Sequence, residues 1–171
     1  MPVSQAANSE TFKVTTPTPS DCEIRLTRLF DAPRTLVFEA MTRPEHVRQW
    51  WGVLSDKHSV TVCEIDLRPG GAWRFVGSGP EGAYPAFYGT YREIVPPERL
   101  VFTEFFEPHP GEGSTVTTVL TEENGKTRFT MTAVYSSRAV RDMVLGTGME
   151  KGAATSYDRL EEVAAKLQQR G

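Results

Sequence analysis

Four features of this sequence could do chemistry: the carboxyl of Glu104, three histidines, two cysteines and a glycine pattern at 77–82. Glu104 stands out by its setting. Along RLVFTEFFE (99–107), Leu100, Phe102, Glu104 and Phe106 fall on one side of an extended strand, because successive side chains alternate. If Leu100 and Phe102 face a core, the carboxyl faces it too. There it must be paired, hydrogen-bonded or protonated, and its pKa is driven upward. Such a group can hold the polar end of a ligand or act as an acid or base. The plainer reading has it satisfied by an arginine, or pointing outward at the rim of a sheet.

The other candidates weaken in context. GSGPEG fits G-x-G-x-x-G at Gly77, Gly79 and Gly82, but a dinucleotide fingerprint opens a helix inside a βαβ unit. Here AYPAFYGTYREIV follows, which reads as a strand, so the glycines form a hairpin loop. His46, His58 and His109 lack the spacing of a zinc site and read as surface histidines, while Cys22 and Cys63 read as buried or idle thiols. Asp66 and Arg68 flank a PGG turn and read as its hydrogen-bonding supports. No nucleophile elbow or phosphate loop is present, so neither metal nor cofactor is expected.

Stepping outward, the elements around Glu104 follow from periodicity. CEIRLTRLF (22–30) alternates as a first strand, with Ile24, Leu26 and Phe30 inward. Asp31 with Pro33, and then TRPE at 42–45 as a capping box, start two short helices ending at Gly52, with Val37, Ala40, Met41, Val47, Trp50 and Trp51 on their inner sides. Between about 59 and 136, six runs of β-branched and aromatic residues are divided by short Gly, Pro and Asn turns, Asn124-Gly125 being the sharpest hairpin signal. Short turns imply an antiparallel meander. Ser136 or Ser137 caps a brief helix that Gly146 stops, and Thr147 to Glu150 is a second capping box. From 149 to 169, Met149, Ala153, Tyr157, Leu160, Val163, Ala164 and Leu167 step by three or four, marking a long amphipathic helix. The predicted fold is α+β: a curved, seven-stranded antiparallel sheet whose apolar face is covered by that helix.

Composition bounds the rest. Residues 1–21 are read as a flexible tail, being rich in Ser, Thr, Pro, Asn and Gln, and 22–171 as one domain. With 19 Lys plus Arg against 22 Asp plus Glu, for a formal charge of −3, nucleic acid is not an expected partner. No apolar run is long enough to span a membrane and no signal peptide is visible, so a soluble, cytoplasmic protein is expected.

Several stretches at these spacings resemble the activator-of-heat-shock-protein-90-ATPase-homologue family, within the START-like (SRPBCC) superfamily. They are FDAPRTLVFEAMTRPEHVRQWWG (30–52), CEIDLRPGGAWRF (63–75), YGTYREIVPPERLVFTEFF (88–106), TRFTMT (127–132) and GMEKG (148–152). The resemblance implies a helix-grip fold, with a small apolar molecule of lipid-, polyketide- or aromatic-like character between sheet and C-terminal helix. The expected lining is Met41, Trp50, Trp73, Phe75, Tyr88, Phe102, Glu104, Phe129, Met131, Met143, Met149, Ala153 and Tyr157. Many relatives carry Trp where this chain has Ala153, a change that leaves space on the helix's inner face. Three functions are compatible with these features. They are a ligand-binding module without covalent catalysis, a cyclase- or lyase-like enzyme using Glu104 with Tyr157 or Tyr88, and a regulator of a chaperone ATPase. A homodimer is an open assembly state.

Overall fold

The structure, a computed structural model, describes residues 13–15 and 21–170. Its strands are β1 (Lys13–Thr15), β2 (Glu23–Phe30), β3 (Ser59–Ile65), β4 (Ala72–Gly79), β5 (Gly82–Ala83), β6 (Phe87–Val95), β7 (Arg99–Phe106), β8 (His109–Glu123) and β9 (Lys126–Tyr135). The helices are α1 (Arg34–Thr42), α2 (Pro44–Val47), α3 (Arg138–Gly146) and α4 (Met149–Arg170). The pairing order is β1-β2-β9-β8-β7-β6-β4-β3, every pair antiparallel, with β5 attached to β4. The seven expected strands are thus all present, and two short ones join them. β1 falls inside the segment read as a tail; most of that segment lies outside the described residues.

One face of the curled sheet holds the core, and α4 lies against it. β2 alternates strictly, burying Ile24, Leu26, Arg28 and Phe30. β9 sets Phe129, Met131 and Ala133 beside them, and Leu160, Val163 and Ala164 of α4 close the layer. Asn124 and Gly125, both at positive φ (52° and 79°), form the two-residue turn joining β8 to β9.

Three caps differ from expectation. Pro33, not Asp31, occupies the N-cap of α1, and no side chain caps it. Thr42 ends α1 instead of opening α2: its hydroxyl donates to the Phe38 carbonyl at 2.8 Å, so Arg43 takes the cap position of α2. The Thr147 hydroxyl likewise turns back to the Val144 carbonyl, at 2.6 Å. In each threonine the hydroxyl satisfies a carbonyl of the preceding helix in place of an amide of the next. Ser137 does cap α3, accepting from the Val140 amide at 3.2 Å.

Trp73 is pinned by a buried backbone carbonyl. Its indole Nε1 donates to the Thr103 carbonyl at 3.0 Å, across β6 at Gly89. A Cβ at Gly89 would collide with that carbonyl oxygen and crowd the indole nitrogen. Gly89→Ala is therefore expected to cost about 2 kcal/mol, the usual scale of overpacking a core. Urea denaturation measures it, and an unchanged midpoint would mean β6 and β7 yield more easily than their pairing suggests.

Candidate functional site

Burial along the helix-facing side of the sheet is uneven. Toward the C-terminal half of α4, Phe30, Leu120, Phe129 and Leu160 are fully enclosed. Toward its N-terminal half, Phe102, Glu104, Met131 and Tyr135 are only half-buried, above the buried small side chains Val116 and Ala133. Met149, Ala153 and Tyr157 on the helix are half-buried as well. The layer is enclosed at one end and partly exposed at the other.

Glu104 sits in the partly exposed part. It pairs across β7 and β8 with Ser114, and Ser114 pairs across β8 and β9 with Tyr135, which puts the three on one face at one level of the sheet. Tyr157 stands on α4 between the two ends: its ring packs 5.0 Å from Phe129 and 6.3 Å from Trp50, and its phenol is near enough to feel the Glu104 charge. Among the described residues no hydrogen bond or ion pair engages the Glu104 carboxyl, and burial pushes its pKa up to about 7. The phenols of Tyr135 and Tyr157 are raised first by burial and then by the Glu104 charge. Ser114 beside Tyr135, and Arg28 beside Tyr157, act the other way. A carboxyl that titrates around neutrality, next to two protonated phenols, can accept a cation, exchange hydrogen bonds or move a proton.

Arg28 is the second charge on this face. Its side chain is 4% exposed, and Nη1 and Nη2 reach Asp158 at 2.6 Å and Glu161 at 3.0 Å. Both carboxylates come from α4, so the guanidinium ties the helix to β2.

The expected lining residues divide by place. Trp73, Phe75 and Phe102 form an aromatic group with ring centroids 4.9 and 5.6 Å from Trp73, and Trp50 donates to the Ala40 carbonyl at 2.9 Å. Phe129 is enclosed; Met41, Met131, Met149, Ala153 and Tyr157 are half-buried around the same layer. Two residues lie elsewhere. Tyr88 is on the opposite face, because β6 alternates from Phe87 inward; it stacks on Phe105 at 5.6 Å and bounds a cleft of about 410 Å³ with Thr90 and Thr103. Met143 is 43% exposed on α3, where Arg141 takes the inward position. His46 is buried rather than on the surface, since the single turn of α2 presses toward β3; its Nε2 lies 3.7 Å from Glu39. The Cys63 thiol is pushed up by burial, as suits an idle core thiol.

No motif marks Tyr135, Ser114 or Arg28 in the sequence. Their signal was parity: Tyr135 continues Phe129, Met131 and Ala133, and Arg28 continues Ile24 and Leu26.

A curled antiparallel sheet with a long C-terminal helix against it, and short helices after the first long strand, defines the START-like helix-grip class. The chain belongs to the family described as "Activator of Hsp90 ATPase homolog 1-like protein", whose profile matches residues 31–165. No curated protein matches it. Among solved structures, a Rhodobacter sphaeroides protein is 25% identical at a TM-score of 0.81, over 91% of this chain and 99% of that one. A Mycobacterium smegmatis protein is 26% identical at 0.79, over 90% and 96%. A protein of Nitrosomonas europaea is 26% identical at 0.76, over 88% and 98%. No helix among the described residues is long and apolar enough to cross a membrane.

Proposed function

We propose that this protein binds a small, mainly apolar molecule between the sheet and the N-terminal half of α4. The observation that carries this reading is the uneven burial of the layer. Large side chains that belong to a core, Phe102, Met131 and Tyr157, are left partly uncovered there, while the other end is closed. Leaving apolar surface uncovered costs about 25 cal/mol per Å², so an apolar guest gains what the protein's own packing does not supply. The aromatic walls give the guest shape, and Glu104 with Tyr135 and Tyr157 gives it an orientation.

Native mass spectrometry of protein purified from its own host tests the reading directly: a retained small molecule is expected, and a consistently empty protein counts against it. Ala153→Trp tests the location. Ala153 is half-buried on α4 one turn before Tyr157, so an indole there occupies the partly exposed end. The variant should stay folded and bind the neutral probe diphenylhexatriene at least tenfold more weakly by fluorescence titration. Unchanged uptake would place the binding space elsewhere.

A further inference from the structure

We infer that the polar end of the bound molecule is a protonated amine, held by Glu104 and faced by the rings of Tyr135, Tyr157 and Phe102. This rests on the reading that the layer beneath α4 holds an apolar molecule, and it adds the charge of that molecule.

The argument starts from the balance of charge on the helix-facing side of the sheet. Among the described residues its strands turn two charged side chains inward, Arg28 and Glu104. They do not neutralise one another. Arg28 is already matched by Asp158 and Glu161 of α4. From α3, Arg141 is taken up by Asp142 at 2.8 Å and by the Glu23 carbonyl. The titratable groups that feel the Glu104 charge are the phenols of Tyr135 on β9 and Tyr157 on α4, and phenols held in the protonated form bring no positive charge. The described residues therefore provide a carboxyl in an aromatic setting and no cation for it.

Each class of ligand head group meets this arrangement differently. A carboxylate would be set against a like charge in a poorly hydrated place, which is unfavourable. An alcohol or ketone can bond to the protonated acid, but it leaves the ionised acid without compensation. An ammonium compensates the ionised form with a charge-assisted hydrogen bond, and the negative ring faces around it add cation–π attraction. The apolar body of the same molecule fills the space beside Phe102 and Met131. A molecule with both features is an amphiphilic amine.

The pH dependence separates the cases. Amine binding needs Glu104 ionised, so it strengthens as pH rises through about 7, while the amine itself stays protonated to well above pH 8. Binding of a neutral acceptor to the protonated acid weakens over the same range.

Three probes with one apolar body test this: 4-phenylbutylamine, 4-phenylbutanol and 4-phenylbutyrate, titrated calorimetrically at pH 5.5 and 8. The amine should bind at least tenfold more tightly than the alcohol at pH 8, the preference should shrink at pH 5.5, and Glu104→Gln should abolish the preference. An alcohol or carboxylate that binds as well as the amine at pH 8 overturns the inference, as does an amine preference that survives in Glu104→Gln. In both outcomes the binding reading stands. If none of the three probes binds, and diphenylhexatriene does not either, the binding reading itself fails and the inference falls with it.

Discussion

Converting Asp158 and Glu161 together to Asn and Gln should destabilise the fold by on the order of 3–5 kcal/mol, the range seen when a buried charge loses its partners. The Arg28 side chain is 4% exposed and its Nε has no hydrogen-bond partner, so both Nη contacts to α4 are needed to offset its desolvation. With amides in place the guanidinium stays buried and keeps only weak acceptors. Glu161 should matter more than Asp158. It is 31% exposed against 63%, and its second oxygen accepts the Asp31 amide at 2.8 Å. Adding Arg28→Met to the double variant should recover most of the loss, because an apolar side chain of similar length needs no counter-charge. Guanidinium denaturation of the three proteins measures this. A double variant within about 1 kcal/mol of the parent would mean that water reaches Arg28, and that the ion pairs do not fix α4 to β2.

That pairing also shows where the sequence was hard to read. The alternation of β2 identified a core face, and Arg28 lies on it between Leu26 and Phe30. A charge at such a position looks like an interruption until its partners are known. Those partners sit 130 residues or more away, on the flank of a helix whose acidic side looks simply solvated. Strand order had the same non-local character. The turns predict a meander from β3 to β9, and that meander is present, but the placement of β2 beside β9 depends on tertiary pairing. The threonine caps failed for a local reason: Thr42 and Thr147 each have a carbonyl of the preceding helix within reach, and sequence pattern does not reveal which neighbour wins.

The site was legible in proportion to how local its signals were. Two-residue periodicity along β7 is enough to turn Glu104 inward with Leu100 and Phe102, and helical spacing along α4 is enough to bring Tyr157 to the same layer. Tyr135 and Ser114 required register, which neighbouring strands set between them. Tyr88 shows the cost of a one-residue step. It adjoins Phe87, which packs inward at 5.6 Å from Trp51, and so it must point to the other side.

Glu104→Gln should stabilise the protein above pH 7 and leave it nearly unchanged at pH 4.5. The folded carboxyl titrates at about 7 and the unfolded one at its ordinary 4.5. Between those values the folded protein holds a proton that the unfolded chain has released. Stability therefore falls as pH rises across that window, and it levels off once both states are ionised. At about 1.4 kcal/mol for each tenfold change in proton affinity the full effect is ~3 kcal/mol, and contact of the half-buried side chain with open space lowers it to about 2 kcal/mol. Glutamine has the same shape and no proton to lose, so its stability should lack this slope. The difference between the two denaturation profiles isolates Glu104 from every other group that titrates. A gain that grows from pH 4.5 to 7 and then stays constant would identify a carboxyl held in place at a cost to folding, as expected of a group kept for what it binds. A difference that stays flat would mean the carboxyl is well hydrated, so that the partly exposed end of the layer is filled with water rather than waiting for an apolar guest.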